Sequence, residues 1–353
     1  MLFRSSTNTL KRIGEAYSLF DRALNGDLHA KADVAESLTT SDFPVLLGQG
    51  YQRKLLAAYQ AQAPVWQQYA TRTVVPNFKP QRLVQILGGA RGLSRVAEAT
   101  EYPARDLDEA LFEFSVEKYG DRIPLTWEMV VNDELGVFRG IDQNLAVAAR
   151  DTEGVVTASA FFNANRTGLN TQFFKAGNGN APESAPLTRA SLQDAIQALS
   201  TKKDENNRPL VRPNLVLVVP PTLEFQAREI LTASEIRTTA ADGSVSVSQN
   251  PVAGAVTLVV EPNLLLNTGS NAATTWFLLP APNSARPAIV TGFLAGNETP
   301  DLRVKADTGN RAGGGSIAPE QGSFDDDTIQ YRVRHVVGSA LIDPKFTFVS
   351  QGA

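Results

Sequence analysis

The sequence predicts an α+β fold that is subdivided into domains. Some segments repeat apolar residues at helical spacing, whereas others alternate apolar and polar residues at the two-residue period of a strand. The 353 residues exceed what one compact core usually holds. With 42% apolar and 20% charged residues, the chain has the composition of an ordinary globular protein.

The first predicted element is an amphipathic helix within Leu10–Leu38. Its apolar residues follow one another at spacings of four, three and four: Ile13, Tyr17, Phe20 and Leu24. Asn25 and Gly26 are the predicted C-terminal cap, because both tolerate a left-handed backbone. The stripe fits packing within the chain, a partner helix or a scaffold contact, and packing is the commonest of the three.

A second helix is predicted between Thr40 and Pro64. Its apolar stripe consists of Leu46, Leu47, Gly50, Tyr51, Leu55 and Tyr59. Pro64 ends the pattern because proline cannot continue a helix. We expect this segment to be an arm that docks elsewhere.

The segment from Thr71 to Gly120 predicts a long, hairpin-like excursion. Proline and glycine residues divide it into short runs, and Leu111–Tyr119 alternates at the strand period. Ala90–Asp108 contains few apolar side chains and cannot bury a core of its own. It either lies on a neighbouring subunit or forms a mobile surface loop, and the pattern leaves both open.

A single long helix is predicted from Leu125 to Asn163, with Thr126 as its N-cap. Such a helix spans about 58 Å at about 1.5 Å per residue. Gly136, Gly140 and Gly154 lie inside it. Each costs up to about 1 kcal/mol relative to alanine, which indicates close approach of another segment or bending.

Helices and a buried strand follow. After the linker Gly177–Asn180, a helix is predicted to begin at Thr188 and to end near Lys202 and Lys203. The wholly apolar run Leu215–Val219 predicts a buried strand, which is followed after Thr222 by a short helix.

The last part of the chain is predicted to be mostly strand. Thr238–Pro251 is a surface loop or a short hairpin, and Val336–Val349 supplies one or two strands. Further strands are predicted at Val256–Val260, Trp276–Leu279, Ile289–Phe293 and Ile329–Arg334.

The sequence offers no residue set for catalysis, and the chain is predicted not to be an enzyme. His29 and His335 are the two histidines, and neither lies in a motif that would position a partner. Asp325–Asp327 lacks further oxygen ligands and is interpreted as a solvated turn. Gly313–Gly315 lacks the flanking strand and helix of a phosphate-binding loop. We predict no catalytic, cofactor-binding or metal-binding residue and no cofactor.

The charge and the cysteine content limit which partners and which cellular compartment the sequence fits. The net charge is −4, and no run of five or more Lys and Arg residues marks a nucleic-acid footprint. A protein that lies against confined DNA does not need such a footprint. The lack of cysteine suits a reducing cytoplasm, and neither a signal peptide nor a membrane span is predicted.

Four stretches carry a resemblance to a known family: Thr39–Tyr69, Val96–Tyr119, Arg122–Gly136 and Arg332–Pro344. In order and spacing they resemble the major capsid proteins of tailed bacteriophages, whose fold is named after phage Hong Kong 97. In detail the chain is most similar to the phage Mu-like head subunit branch.

The resemblance implies five segments. Residues 1–77 hold the N-terminal helix and arm, 78–124 the extended β-hairpin loop, and 125–205 a peripheral domain with the spine helix. Residues 206–300 form an axial domain that meets its copies at capsomer centres, and 301–353 return to the peripheral domain.

The resemblance also implies a structural function. Many copies assemble as hexamers and pentamers into an icosahedral shell around double-stranded DNA, which is enclosed without sequence-specific binding. A portal protein is an implied partner, with a scaffold, protease or decoration protein as further ones, and no membrane takes part. The shell is assembled in the bacterial host cytoplasm and resides in the virion.

Two other functions are weighed against this one. An encapsulin-like cellular compartment shares the fold and encloses a cargo enzyme instead of DNA. A hydrolase or surface-binding module with α+β domains is the rival from another class, and it requires a cleft with perturbed titratable groups. Lys118 lies near the end of the hairpin, but no acceptor for an isopeptide crosslink is identified.

Overall fold

The computed structural model describes residues 22, 43–87, 108–126, 138–203, 207–239, 245–305, 325 and 328–352. They belong to two compact units. The first takes its residues from Met1–Ala63, Lys118–Thr152 and Gly296–Val336, and the second from Pro64–Glu117, Glu153–Ala295 and Val337–Ala353. The predicted α+β class is confirmed, because helices and strands occur together in each unit. Apart from Arg22, the helix predicted within Leu10–Leu38 lies outside the described residues.

The described helices and strands are numbered along the chain. The helices are α1 Phe43–Ala61, α2 Phe138–Ser159, α3 Arg189–Ser200 and α4 Glu224–Thr232. The strands of the first half are β1 Thr71–Val75, β2 Gln81–Leu87, β3 Asp108–Phe114, β4 Glu117–Tyr119, β5 Arg122–Thr126 and β6 Leu215–Val219. The later strands are β7 Glu235–Thr239, β8 Val245–Gln249, β9 Thr257–Val260, β10 Trp276–Pro280, β11 Ile289–Leu294, β12 Asp301–Val304, β13 Thr328–Leu341 and β14 Phe348–Ser350.

The first unit packs helices against an antiparallel sheet. The first half of β13 pairs with β5 on one side and with β12 on the other. The core of this unit joins side chains of α1, α2 and β13: Leu55, Tyr59, Leu145, Ala146, Ala149 and Val333. Burial of these apolar groups at the helical spacing of α1 and α2 holds both helices on the sheet.

The second unit contains a four-stranded sheet in the order β14, β10, β6, β9. Every residue of β6 and β10 is buried, as expected for strands that are covered on both faces. On one face, Trp276 and Leu217 pack with Leu192 and Leu199 of α3. Elsewhere in this unit Phe277 of β10 stacks on Phe161 with 4.6 Å between ring centroids.

A second sheet of this unit contains β1, β11 and the end of β13. Strand β1 is parallel to β11, and β11 is antiparallel to β13 from Ile289 opposite Leu341 to Phe293 opposite Val337. The predicted run Val336–Val349 therefore supplies the end of one long strand and the separate strand β14.

The long helix differs from its prediction at both ends. Leu125 and Thr126 lie in β5, where they pair with β13, and α2 runs only from Phe138 to Ser159. Its 22 residues span about 33 Å at about 1.5 Å per residue. The prediction of a start at Leu125 was wrong because pairing with a strand that is distant in sequence outweighs local periodicity.

Several local predictions are confirmed. Thr188 is the N-cap of α3, and its side chain accepts a hydrogen bond from the Ser191 backbone N–H at 3.1 Å. The apolar run Leu215–Val219 is the buried strand β6. Of the two alternatives for Thr238–Pro251, the hairpin is correct, because β7 and β8 pair antiparallel.

Candidate functional site

Among the described residues, no group of histidine and carboxylate side chains could hold a metal ion. His335 is buried, and its ring meets the ring of Tyr59 edge-on at 5.9 Å. Asp325 is exposed, whereas His29 and Gly313–Gly315 lie outside the described residues. None of the helices that the structure describes has both the length and the apolar character needed to cross a membrane.

Strands β2 and β3 form a two-stranded ribbon, the hairpin stem, that pairs with no third strand in the described part of the chain. Its register covers seven residue pairs, the last of which joins Leu87 to Asp108. Arg82 and Glu113 form an exposed ion pair across it at 3.1 Å, which contributes little to stability. An isolated two-stranded ribbon is at best marginally stable in water, so this stem requires other support. Lys118 lies in β4, beyond the stem, and is exposed.

The base of the stem crosses two glycines that face each other in neighbouring strands, Gly292 of β11 and Gly338 of β13. A Cβ atom at Gly292 would lie 2.3 Å from Cε2 of Phe114, and one at Gly338 would lie 2.1 Å from the carbonyl oxygen of Ser115. Phe114 and Val116 are buried at this crossing. We call it the hairpin anchor, and it requires glycine at both positions because a side chain would displace the crossing segment.

Sequence reasoning did not single out these two glycines. Both interrupt apolar strand patterns, and a glycine inside such a pattern signals a bulge or the close approach of another backbone. That signal was available, but it does not name the approaching segment. The same argument did succeed at Gly154, where a Cβ atom would lie 2.7 Å from Nδ2 of Asn263.

Two buried carboxylates tie the turn after α1 to other parts of the second unit. Trp66 Nε1 donates a hydrogen bond to Glu153 Oε2 at 3.0 Å, and the Tyr69 hydroxyl donates one to Glu261 Oε2 at 3.0 Å. Glu261 Oε1 accepts from both the backbone N–H and the side-chain amide of Asn263, at 3.1 and 2.8 Å. Burial, followed by the charge of Glu261 and its hydrogen bond, raises the pKa of Tyr69 well above its usual value.

These carboxylate contacts join residues that are far apart in the sequence. The partners of the two aromatic donors lie 87 and 192 positions away. No local sequence pattern indicates hydrogen bonds between residues so far apart, and sequence reasoning missed both of them. Each buried carboxylate accepts a hydrogen bond, which is what a charged group out of water requires.

Helix α1, predicted to be an arm that docks elsewhere, packs its last turns on its own chain. Leu55 is 0% and Tyr59 5% exposed within the core of the first unit. The side-chain amide of Gln52 donates to the carbonyl oxygen of Pro300 at 2.9 Å, and its Oε1 accepts from the backbone N–H of Leu302 at 2.8 Å. The last turns of α1 therefore pack within the chain, and docking of the arm on another subunit stays a prediction.

A groove of about 470 Å³ lies in the second unit. It runs past the end of α2, the turns that follow, and the end of β13. Its lining side chains are uncharged and mix apolar with amide and hydroxyl groups: Phe162, Asn170, Phe173, Asn178, Ser339 and Ile342 among them. This lining therefore contains no acidic or basic side chain.

Comparison with known proteins identifies one family. A family model described as phage capsid protein matches residues 111–350, from β3 to β14. No curated protein matches the chain.

Solved structures similar to this chain include two from phages and one encapsulin. A Gordonia phage Cozz structure is 15% identical, with a TM-score of 0.46 and coverage of 81% of this chain and 84% of that chain. The capsid of Cyanophage P-SCSP1u is 11% identical, with a TM-score of 0.46 and coverage of 82% and 88%. The SrpI encapsulin of Synechococcus elongatus is 12% identical, with a TM-score of 0.41 and coverage of 82% and 88%.

Proposed function

The chain belongs to the phage capsid protein family, and from this premise we propose that many copies assemble as hexamers and pentamers into a closed icosahedral shell around double-stranded DNA. It is a major capsid protein, and its role is structural. The observation that carries the proposal is the family match over residues 111–350. We further propose that the shell is assembled in the bacterial host cytoplasm and resides in the virion.

The finer architecture is also a proposal. It comprises an N-terminal arm, an extended loop, a peripheral domain with α2 as its spine helix, and an axial domain over residues 206–300, in the manner of the Hong Kong 97 fold. The order of the described elements supports this arrangement. Assignment to the Mu-like branch rests on the sequence resemblance alone.

We propose that the extended loop, residues 78–124, makes a contact between subunits. The hairpin stem has two open edges in the described part of the chain, while its base is fixed at the hairpin anchor. A ribbon that is fixed at one end and lacks a third strand gains most from lying on another protein surface. Repeated, heterologous contacts of this kind are what a closed shell needs.

The remaining partners follow from the proposed shell. They are a portal protein, a further scaffold, protease or decoration protein, and DNA that is enclosed without sequence-specific recognition. The net charge of −4 supports enclosure over tight binding, because phosphate contacts require clustered Lys and Arg.

Electron microscopy of the purified chain, expressed alone and with its neighbouring genes, tests the proposal. Closed shells or capsomer rings are expected, and shells from the second preparation should contain DNA. Shells that contain a protein cargo and no DNA would instead favour the encapsulin-like compartment. A monodisperse monomer in both preparations would overturn the shell proposal.

A truncated loop tests the contact assigned to the hairpin. Leu87 faces Asp108 as the last described pair of the stem, so a two-residue Asn-Gly turn can replace residues 88–107 and close the ribbon. We expect the truncated chain to keep the thermal unfolding of the full chain and to lose shell formation. A matched control replaces Arg82 with Gln, which removes only an exposed ion pair and should leave assembly intact. Shells formed as efficiently by the truncated chain would refute the assignment.

A further inference from the structure

The sheet of the first unit carries a row of three arginines across neighbouring strands. Arg332 of β13 lies opposite Arg122 of β5 on one side and opposite Arg303 of β12 on the other. All three residues are exposed. Neighbouring strands lie about 4.8 Å apart, so the row spans about 10 Å of backbone from Arg122 to Arg303.

The opposite face of the same three strands packs into the core of the unit. Val333 of β13 belongs to that core, and Ile123 of β5 and Leu302 of β12 pack against it. Successive side chains of a strand point to opposite faces, so the residues next to these three lie on the outer face. The arginine row therefore faces away from the core.

Two more cations occupy positions of the outer face. Arg334 lies two residues after Arg332, and Lys305 lies two residues after Arg303. We call the set the arginine face: Arg122, Arg303, Lys305, Arg332 and Arg334. The other described residues at positions of this face are Asp301, Pro124, Thr126, Thr328 and Gln330, and none of them is a large apolar residue.

One carboxylate compensates only part of this charge. Asp301 Oδ2 lies 2.7 Å from Arg303 Nε and 3.0 Å from Arg334 Nη2. Arg122 and Arg332 form no ion pair within the described ranges. Like charges directly opposite each other destabilise a sheet, yet the register places Arg332 between two other arginines. This arrangement favours an anionic ligand that comes from outside the chain.

We propose that the arginine face binds the phosphate backbone of duplex DNA. The inference rests on the proposed function, because the enclosed DNA is the ligand. Guanidinium groups remain charged and match the geometry of phosphate oxygens, which they can bind in pairs. A protein–protein interface usually has an apolar core, which this face lacks, so its composition favours DNA over a second copy of the chain.

The net charge of the whole chain conceals this cluster. Arg122 and Arg303 are far apart in the sequence and come together only because both strands pair with β13. No run of Lys and Arg residues therefore marks the face in the sequence. Contacts to phosphate position DNA without reading its bases, in keeping with enclosure that does not depend on sequence.

The test uses the purified full chain and a fluorescein-labelled DNA duplex of about 25 base pairs, with binding followed by fluorescence anisotropy from about 0.05 to about 0.3 M NaCl. The double variant Arg122→Gln with Arg332→Gln removes the two arginines that form no ion pair within the described ranges. At the lowest salt concentration we expect it to bind about tenfold more weakly than the wild type. The slope of log K against log salt concentration should be smaller by about two. A second duplex of equal length and different sequence should give the same affinities.

Two further variants show whether the effect belongs to this face. Arg189→Gln with Lys203→Gln removes the same charge from exposed residues of the second unit and should bind DNA like the wild type. Arg122→Lys with Arg332→Lys keeps the charge and should keep the salt dependence. Circular dichroism and thermal unfolding confirm that each variant is folded.

Electron microscopy of the same proteins separates this inference from the proposed function. If the wild type forms shells and the double variant binds DNA as tightly as the wild type, the DNA-binding face is overturned and the shell proposal stands. A double variant that binds DNA normally but no longer assembles would mean that the face contacts an acidic surface of a second copy, and the DNA assignment is wrong. If the wild type binds DNA through this face but never assembles, the face is supported and the shell proposal is overturned.

Discussion

Replacing Tyr69 with phenylalanine removes one hydrogen bond from a buried carboxylate and changes little else. Tyr69 is 1% and Glu261 is 1% exposed, and their oxygens are 3.0 Å apart. Hydrogen bonds to charged groups contribute about 1.5–3 kcal/mol. We therefore expect Tyr69→Phe to lower the free energy of unfolding by about that amount at neutral pH. Glu261 keeps its two donors from Asn263, which limits the loss.

The raised pKa of Tyr69 also predicts how the stability difference between the wild type and Tyr69→Phe changes at alkaline pH. The folded-state pKa of Tyr69 is raised above its usual value, so its contribution to stability is fully present below about pH 10 and declines as the pH rises further. Above that value the unfolded chain releases the proton while the folded chain retains it. The decline approaches about 1.4 kcal/mol per pH unit. The advantage of the wild type over Tyr69→Phe should therefore shrink progressively as the pH rises above about 10.

Denaturant unfolding at about pH 8 and about pH 11 measures both effects. Trp66 and Trp276 lie in the same unit as Tyr69 and report on it by fluorescence. In the Glu261→Gln background the cost of Tyr69→Phe should shrink, because the charged acceptor is gone. An equal difference between wild type and Tyr69→Phe at both pH values would refute the reasoning, since it would mean that Tyr69 ionises equally in the folded and unfolded chains.

Two further substitutions test the packing. Leu55→Ala should lower the free energy of unfolding by about 2–5 kcal/mol and expose α1 to proteolysis. Gln60→Ala, on the exposed side of the same helix, should change this free energy by no more than about 0.5 kcal/mol. Equal melting temperatures of the two variants would show that α1 is not held by its buried face. Gly338→Ala places a Cβ atom against the carbonyl oxygen of Ser115 and should cost about 1–3 kcal/mol by calorimetry. Gly177→Ala, which meets nothing within 4 Å, is the control, and a cost no larger than this would contradict the hairpin anchor.

The elements that sequence reasoning predicted well are those whose partners are local or whose burial is complete. The capped helix after Thr188 and the apolar strand Leu215–Val219 carry their own signals within a few residues. Strand β5 was misassigned because its hydrogen bonds go to β13, two hundred residues later in the chain. For the same reason no local pattern shows that β14 joins β10 at the edge of the four-stranded sheet.

The functional surfaces were predictable only in part. The segment between Ala90 and Asp108 contains few apolar residues, which predicted a hairpin that needs another surface. Strand β3 of the hairpin stem overlaps the predicted alternating run Leu111–Tyr119. The groove was not predicted, because its lining comes from segments that are far apart in the sequence, the end of α2 with the turns after it and the end of β13. Contacts between segments that are distant in sequence depend on the fold, whereas local sequence patterns indicate only the helices and strands.

The hairpin anchor gives the open stem a property that assembly requires. A ribbon held only by its own two strands could leave the subunit in many directions, and copies in different orientations could not repeat one contact. The crossing of Phe114 and Ser115 over Gly292 and Gly338 fixes the base of the ribbon against two strands of the second unit. Each copy then presents its stem in the same direction, and a heterologous contact that closes into a shell depends on that constancy. The two glycines therefore fix the base of the stem, and under the proposed subunit contact this geometry favours assembly, although neither glycine belongs to the stem itself.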